Sequence, residues 1–257
     1  MKIEMKKTKP PSFFAIISDI HANIDALEAV LADIGQWPCR GILCLGDIVG
    51  YGPGPAACVQ RVMDTCAVSV FGNHEAMLFL ADQFPPEEMP SSVGDPITLA
   101  SEQLSDEQMK WLRDLPISAD LDPMTLSHAA LNDIGSFHYV DDDEMAKAHF
   151  AVQKTFISFQ GHTHVPMIWE KTKRGRVAGF YPIEKAVQLE AGSRYAINAG
   201  SVGQPRDDDP RASYALYDYE SRLLLHRRVE YDITRAQARF KKSSLPARNA
   251  NRLAKGQ

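Results

Sequence analysis

The sequence predicts an α/β fold in which two packed sheets carry helices on their outer faces. Three observations lead there. Through the first half, apolar runs alternate with helical periodicity, the pattern of strand-helix units feeding a mostly parallel sheet. From Ile117 onward β-type segments dominate. Segments bearing Asp and His recur just after apolar runs, and ligand sites in open α/β sheets collect at the carboxyl ends of strands.

Taken in order, Phe13 to Ser18 reads as a buried strand, and Asn23 as the N-cap of a helix that aligns Ile24, Leu27, Val30, Leu31 and Ile34 on one face. Ile42 to Leu45 is the next strand, Pro55 to Cys66 a helix, and Ala67 to Phe71 the third strand. Residues 83 to 96 hold Pro85, Pro86, Pro90, Gly94 and Pro96 and read as a loop. Ser105 and Gln108 form a capping box opening a helix through Trp111 and Leu115. Strands are expected at Met124 to Ser127, Phe156 to Phe159, Met167 to Glu170, Tyr195 to Asn198, Ser213 to Tyr219 and Leu223 to Val229. A last helix begins near Thr234 and is expected to fray. Residues 12 to 240 thus form one catalytic domain between flexible tails, 1 to 11 and 241 to 257.

With 257 residues, 44% of them hydrophobic, the chain can bury a sizeable core. The formal charge of −5 is uneven: +3 at residues 1 to 10 and +5 at 241 to 257 leave about −13 on the body. Such a body disfavours long nucleic acid as a partner, and with it a nuclease. Cys39, Cys44, Cys58 and Cys66 include no Cys-x-x-Cys pair and read as reduced thiols of a cytoplasmic protein. No stretch approaches the ~20 apolar residues of a membrane span.

Five segments carry the chemistry: Ser18-Asp-Ile-His21, Gly46-Asp47, Gly72-Asn-His-Glu75, Ser127-His128 and Gly161-His-Thr-His164. Asp19 and His21, like His162 and His164, are two apart and face one side of an extended segment, so each pair can reach one metal centre. Asn73 and His74 are adjacent and point differently, which suits a ligand beside a proton donor. Two divalent ions facing only Asp19 and Asp47 as anions leave a residual positive field of about +2, an invitation to a phosphate ester. Asp47 is the candidate bridging carboxylate.

On these five motifs the chain resembles the calcineurin-like metallophosphoesterase family over residues 13 to 230. The resemblance implies a four-layer αββα sandwich of two mixed sheets flanked by helices. It implies that Asp19, His21, Asp47 and His164 hold one metal and Asp47, Asn73, His128 and His162 the other, with His74 catalytic. The expected cofactors are two transition-metal ions drawn from Mn, Fe, Zn, Ni and Co, since mixed N/O sites accept them all. The expected reaction is hydrolysis of a phosphodiester, nucleotide or other small phosphate ester by direct attack of metal-bound hydroxide.

A narrower likeness, carried by Gly46-Asp-Ile-Val-Gly-Tyr-Gly-Pro53 and Asn198-Ala-Gly-Ser-Val-Gly-Gln-Pro-Arg206, points to small bacterial phosphodiesterases and relatives of diadenosine tetraphosphatase. Glu75 and Ala199 depart from the usual Asp and Pro there, and neither is expected to touch a ligand. The competing class is a non-catalytic scaffold that retains the fold to bind proteins; the complete ligand set and His74 weigh against it.

Bland readings suit other candidates better. His138, His149 and His226 are read as structural or surface residues, and the Asp141–Asp143 and Asp207–Asp209 triplets as solvated turns. Gly50, Gly52 and Gly54 imply a tight turn, with Tyr51 and Pro53 beside Asp47. Arg206 alone in its turn is suited to grip phosphate, as substrate-binding residue. Phe137, Tyr139 and Tyr181 form an aromatic cluster able to stack a nucleoside base.

Overall fold

A computed structural model describes residues 13–80, 82–182 and 184–257. The expected basic tail at residues 1 to 11 lies outside the described residues. Two six-stranded mixed sheets face each other with helices outside both. The first sheet holds β1 (Phe13–Ile17), β2 (Cys39–Cys44) and β3 (Cys66–Ser69), linked in parallel through α1 (Ile24–Ile34) and α2 (Pro55–Thr65). Its antiparallel half is β11 (Ala212–Asp218), β12 (Leu223–Val229) and β9 (Val187–Gln188), in the order β3-β2-β1-β11-β12-β9. The second sheet runs β4 (Ser118–Leu121), β5 (Met124–Ser127), β6 (Ile157–Gln160), β10 (Arg194–Asn198), β7 (Met167–Lys171) and β8 (Val177–Phe180), with β5, β6 and β10 parallel.

Strand alternation sorts side chains between layers. In β1, Ala15 and Ile17 join α1 and α2 side chains such as Leu27, Val30 and Val59, whereas Ile16 turns inward between the sheets. There it meets Leu43, Leu126, Phe159, Ile197 and Tyr217. Each such fully buried chain contributes about 1.5–3 kcal/mol. On the far face, α6 (Asp143–Val152) packs Ala146 and Phe150 against Trp169 and Ala196.

Several expectations need correction. The strands left unforeseen, β4, β8 and β9, all lie at sheet edges, where half-exposed backbone needs no apolar run. Helix α6 was hidden in the 141–143 triplet: Asp142 is its N-cap, accepting from the Met145 amide at 2.8 Å. The Pro-rich loop is shorter than expected, because α4 (Ser91–Gln103) begins after a 3₁₀ turn at Pro86–Glu88 and carries Pro96 inside it. The capping box stands as read, opening α5 (Asp106–Arg113) with both reciprocal bonds made.

The C-terminal segment differs most. α3 (Asn73–Phe79) and α4 come earlier in sequence, yet the segment returns to α4: after α7 (Ile233–Phe240), α8 (Ala247–Leu253) forms within residues 241 to 257 instead of a frayed tail. Phe240, Leu245, Ala250 and Leu253 bury a small core of their own with Leu99 of α4. Buried Asn249 donates to Tyr51 O at 3.0 Å and to Ser92 O at 2.9 Å. Ser92 O is the carbonyl that Pro96, having no N–H, cannot occupy. The pairing had no signal in local sequence because it spans more than 150 residues.

Candidate metal centre

The parallel strands of both sheets end at one place. Asp19 and His21 follow β1, Asp47 follows β2, Asn73 and His74 open α3 after β3, His128 follows β5, and His162 and His164 follow β6. Backbone bonds lace the first two loops together, Asp19 N to Gly46 O at 3.1 Å and His21 N to Asp47 O at 3.0 Å. To reach inward, Asp19, His21, Asp47, His162 and His164 all take left-handed backbone, φ from 47° to 68°. Such conformations cost non-glycine residues free energy and persist where surrounding structure enforces them.

Every residue named from the five motifs is in this cluster. Asp19, His21 and His164 gather on one side; Asp47, His128 and His162 on the other. Asn73 Oδ1 approaches His128 Nε2 to 3.0 Å. Asp47 Oδ2 lies between the groups, 3.3 Å from His128 Nε2, 3.7 Å from His21 Nε2 and 3.9 Å from His74 Nε2.

Tautomers decide what the cluster wants. His21 Nδ1 contacts Val49 O at 3.1 Å, His164 Nδ1 contacts Gln204 O at 2.5 Å, and His128 Nδ1 contacts Leu45 O at 2.9 Å. A carbonyl only accepts, so each Nδ1 carries a proton, and wherever the ring is neutral its Nε2 presents a lone pair. His21 Nε2 and His164 Nε2 then face each other at 3.0 Å, beside an Asp19 Oδ1 that accepts no hydrogen bond. His128 Nε2 likewise meets Asn73 Oδ1 and, at 3.1 Å, His162 Nδ1. Lone pairs converging on two points repel unless cations lie among them, so the residues fit a pair of metal ions with Asp47 shared.

Electrostatics agree. Burial would raise both carboxyls, but His164 and His21 around Asp19, and His128 and His74 around Asp47, hold them well below the usual carboxylate range. Burial opposes charge on His128 too, yet Asp47 and Asp19 lift it to about 9. Burial takes His162 and His164 down to about 4 and His74 to about 3. Without metal, a proton on His128 Nε2 satisfies the acceptors around it, and coordination through that nitrogen would displace the proton.

His74 is 3% exposed, packed edge-on to His21 and against the Tyr51 ring. Its amide donates to Asp47 Oδ1 at 2.9 Å, and its Nδ1 has no hydrogen-bond partner. Gly50, at φ 88°, makes room for that ring; a Cβ there would run into Nδ1. Arg206 stands at the rim, bonded through Nη2 to Tyr51 Oη at 3.2 Å and Gln204 Oε1 at 3.1 Å, with Nε buried and unpartnered. His149 and His226 are buried elsewhere, and His138 pairs with Asp133 at the surface. Asp207 and Asp209 are engaged by Arg228 and Arg211.

Sequence reasoning missed the residues that hold this arrangement. Glu75 is the clearest correction, because it does touch a candidate ligand, Asp47, through the backbone. Its Oε2 accepts from Asp47 N at 2.8 Å and Gly72 N at 2.9 Å, its Oε1 from Ile48 N at 2.8 Å and Val49 N at 3.2 Å. Asn198 and Ser201 brace the Gly161 and Asp19 carbonyls. Glu75 three residues past Gly72 was the available signal, a helix-capping spacing.

Residues 13–222 match the description of the calcineurin-like phosphoesterase superfamily domain. The chain belongs to that superfamily. As a calcineurin-like phosphoesterase it is a metal-dependent phosphoric ester hydrolase. A metallophosphoesterase from Sphaerobacter thermophilus has a similar structure, TM-score 0.85 at 36% identity, covering 96% of this chain and 99% of that one. A hypothetical protein from Pyrococcus horikoshii shares the fold at TM-score 0.76 and 20% identity, covering 95% and 98%. An uncharacterized protein of Methanocaldococcus jannaschii is 33% identical over 91% of this chain and 94% of its own length. A symmetrical bis(5′-nucleosyl)-tetraphosphatase of Chromohalobacter salexigens is 33% identical over 45% of this phosphoesterase and 43% of itself.

Proposed function

We propose that this centre hydrolyses a phosphodiester, a nucleotide or another small phosphate ester, with two transition-metal ions drawn from Mn, Fe, Zn, Ni and Co as cofactors. The observation that carries the reading is the convergence of carboxylate oxygens and imidazole lone pairs on two points that share Asp47. Asp19, His21, Asp47 and His164 would hold one ion, and Asp47, Asn73, His128 and His162 the other. When bound, such a pair supplies Lewis acidity toward phosphoryl oxygens and lowers the pKa of coordinated water.

The chain's residues do the remaining work. Carbonyl contacts at Val49, Leu45 and Gln204 lock three imidazoles in one tautomer, so the ligand set needs little rearrangement. Arg206 presents a fork to an anionic oxygen at the rim. His74 reaches the leaving oxygen: neutral because of burial, it donates a hydrogen bond, and a phosphoryl anion beside it draws its pKa back up. Transfer goes directly to water. Free Cys39, Cys44, Cys58 and Cys66 suit a cytoplasmic enzyme.

The test pairs elemental analysis with turnover of bis(4-nitrophenyl) phosphate. His74→Ala should lower kcat by about 10²–10⁴-fold while metal content stays near wild type. Asp47→Asn should lose metal and activity together. Equal, mild effects from both would refute these roles.

A further inference from the structure

A cavity of about 230 Å³ opens beside the metal centre, lined by Tyr139, Asp141, Val165, Met167, Tyr181 and Arg206 among others. It shares a wall with the site: the Tyr139 ring lies 4.3 Å from the His162 ring, and Thr163, between His162 and His164, also lines it. Arg206, bonded to Tyr51, joins the two spaces. A group linked to a phosphoryl bound at the metals therefore has this cavity next to it.

Its walls are unusual for open surface. Tyr181 is 69% exposed and Tyr139 43% exposed, two large rings left against solvent in a lining they share with Val165 and Met167. Exposed rings beside apolar side chains suit a flat aromatic ligand. The volume lies below the ~300–1,000 Å³ of pockets that enclose drug-sized molecules, so it suits a single ring system. Asp141 adds the polar determinant. A carboxylate accepts hydrogen bonds and gives none, so it matches a base edge with two adjacent N–H groups and opposes a carbonyl edge. Guanine offers such a pair at N1 and N2; uracil opposes it with carbonyls.

We infer that this cavity is a base-binding subsite and that Asp141 makes it select guanine-bearing nucleotides or nucleotidyl esters. The inference rests on the phosphoesterase reading of the adjoining centre for its substrate's other half. Asp141 and Tyr181 are exposed, so replacing them opens no core.

Calorimetric titration of GMP, AMP, CMP and UMP into the full chain, with its metals, tests it. GMP should bind about tenfold more tightly than UMP, the scale of a bidentate contact to a base edge. Asp141→Asn should bring the two within about twofold by weakening GMP, and Tyr181→Ala should weaken all four about tenfold. Equal affinities in the wild type, no nucleotide binding at all, or a GMP to UMP ratio untouched by Asp141→Asn would each overturn the subsite. Wild-type turnover of methyl 4-nitrophenyl phosphate, which carries no base, reports the metal centre separately. Turnover of that ester without guanine selectivity sinks the subsite alone; guanine-selective binding without turnover of any ester upholds the subsite and sinks the catalytic reading.

Discussion

Glu75 holds the Asp47 loop by gathering four amides on one carboxylate. Burial and the Asp47 charge push its pKa up to about 7, against amide bonds that favour the ionised form. Glu75→Gln keeps the shape but turns one oxygen into an N–H donor facing two other donors. We expect a loss of about 2 kcal/mol in urea unfolding, the scale of unsatisfied buried groups, together with weaker metal retention, read by dialysis and elemental analysis. The Asp, His and Asn residues that converge on the centre were legible in the sequence because they stand at spacings that suit coordination. Glu75, Asn198 and Ser201 were not, because each acts on backbone groups whose nearness only the folded chain creates.

Among elements, α8 depends on a partnership that only the tertiary structure reveals. Asn249 fills the carbonyl freed by Pro96 and fastens Tyr51, whose ring touches His21 and His74. Asn249→Ala should cost about 1–3 kcal/mol and speed hydrogen exchange in residues 247 to 253. Pro96→Ala should speed the same exchange although it improves α4 as a helix, because the restored N–H competes for Ser92 O. Unchanged exchange in both variants would contradict the clasp. Strands inside the sheets were legible from apolar runs, whereas the edge strands β4, β8 and β9 had no comparable run. Tail charge hid α8, since Arg248 and Arg252 read as solvated coil while Leu245, Ala250 and Leu253 were too few to announce a core.

For the molecule as a whole, acid should act through buried histidines outside the centre. Burial holds His149 and His226 near 4, below the ordinary ~6.5 of the unfolded chain. His149 accepts the Leu131 amide, which requires a neutral ring, and His226 donates to Asn198 O while burial disfavours its charged form. The unfolded chain therefore takes up protons first as pH falls. Their stabilisation is complete above about 6.5 and drains away down to about 4, by up to ~1.4 kcal/mol per pH unit for each group. His226→Gln, which keeps a donor for Asn198 O but cannot charge, should flatten the fall in urea midpoint between pH 6.5 and 4.5; parallel curves would refute the assignment. The layered architecture itself was readable from strand-helix alternation, since packing two sheets needs little beyond period and polarity.

The left-handed turns under the candidate ligands carry one more implication. Where φ is 68°, as at His162, a glycine would be at ease and a histidine is not. Stripped of metal, a His162→Gly protein should outlast its metal-free parent against urea by about 1 kcal/mol. The parent would then be the sturdier only when loaded, and selection for durability without cargo would erode the very side chains that the proposed chemistry needs.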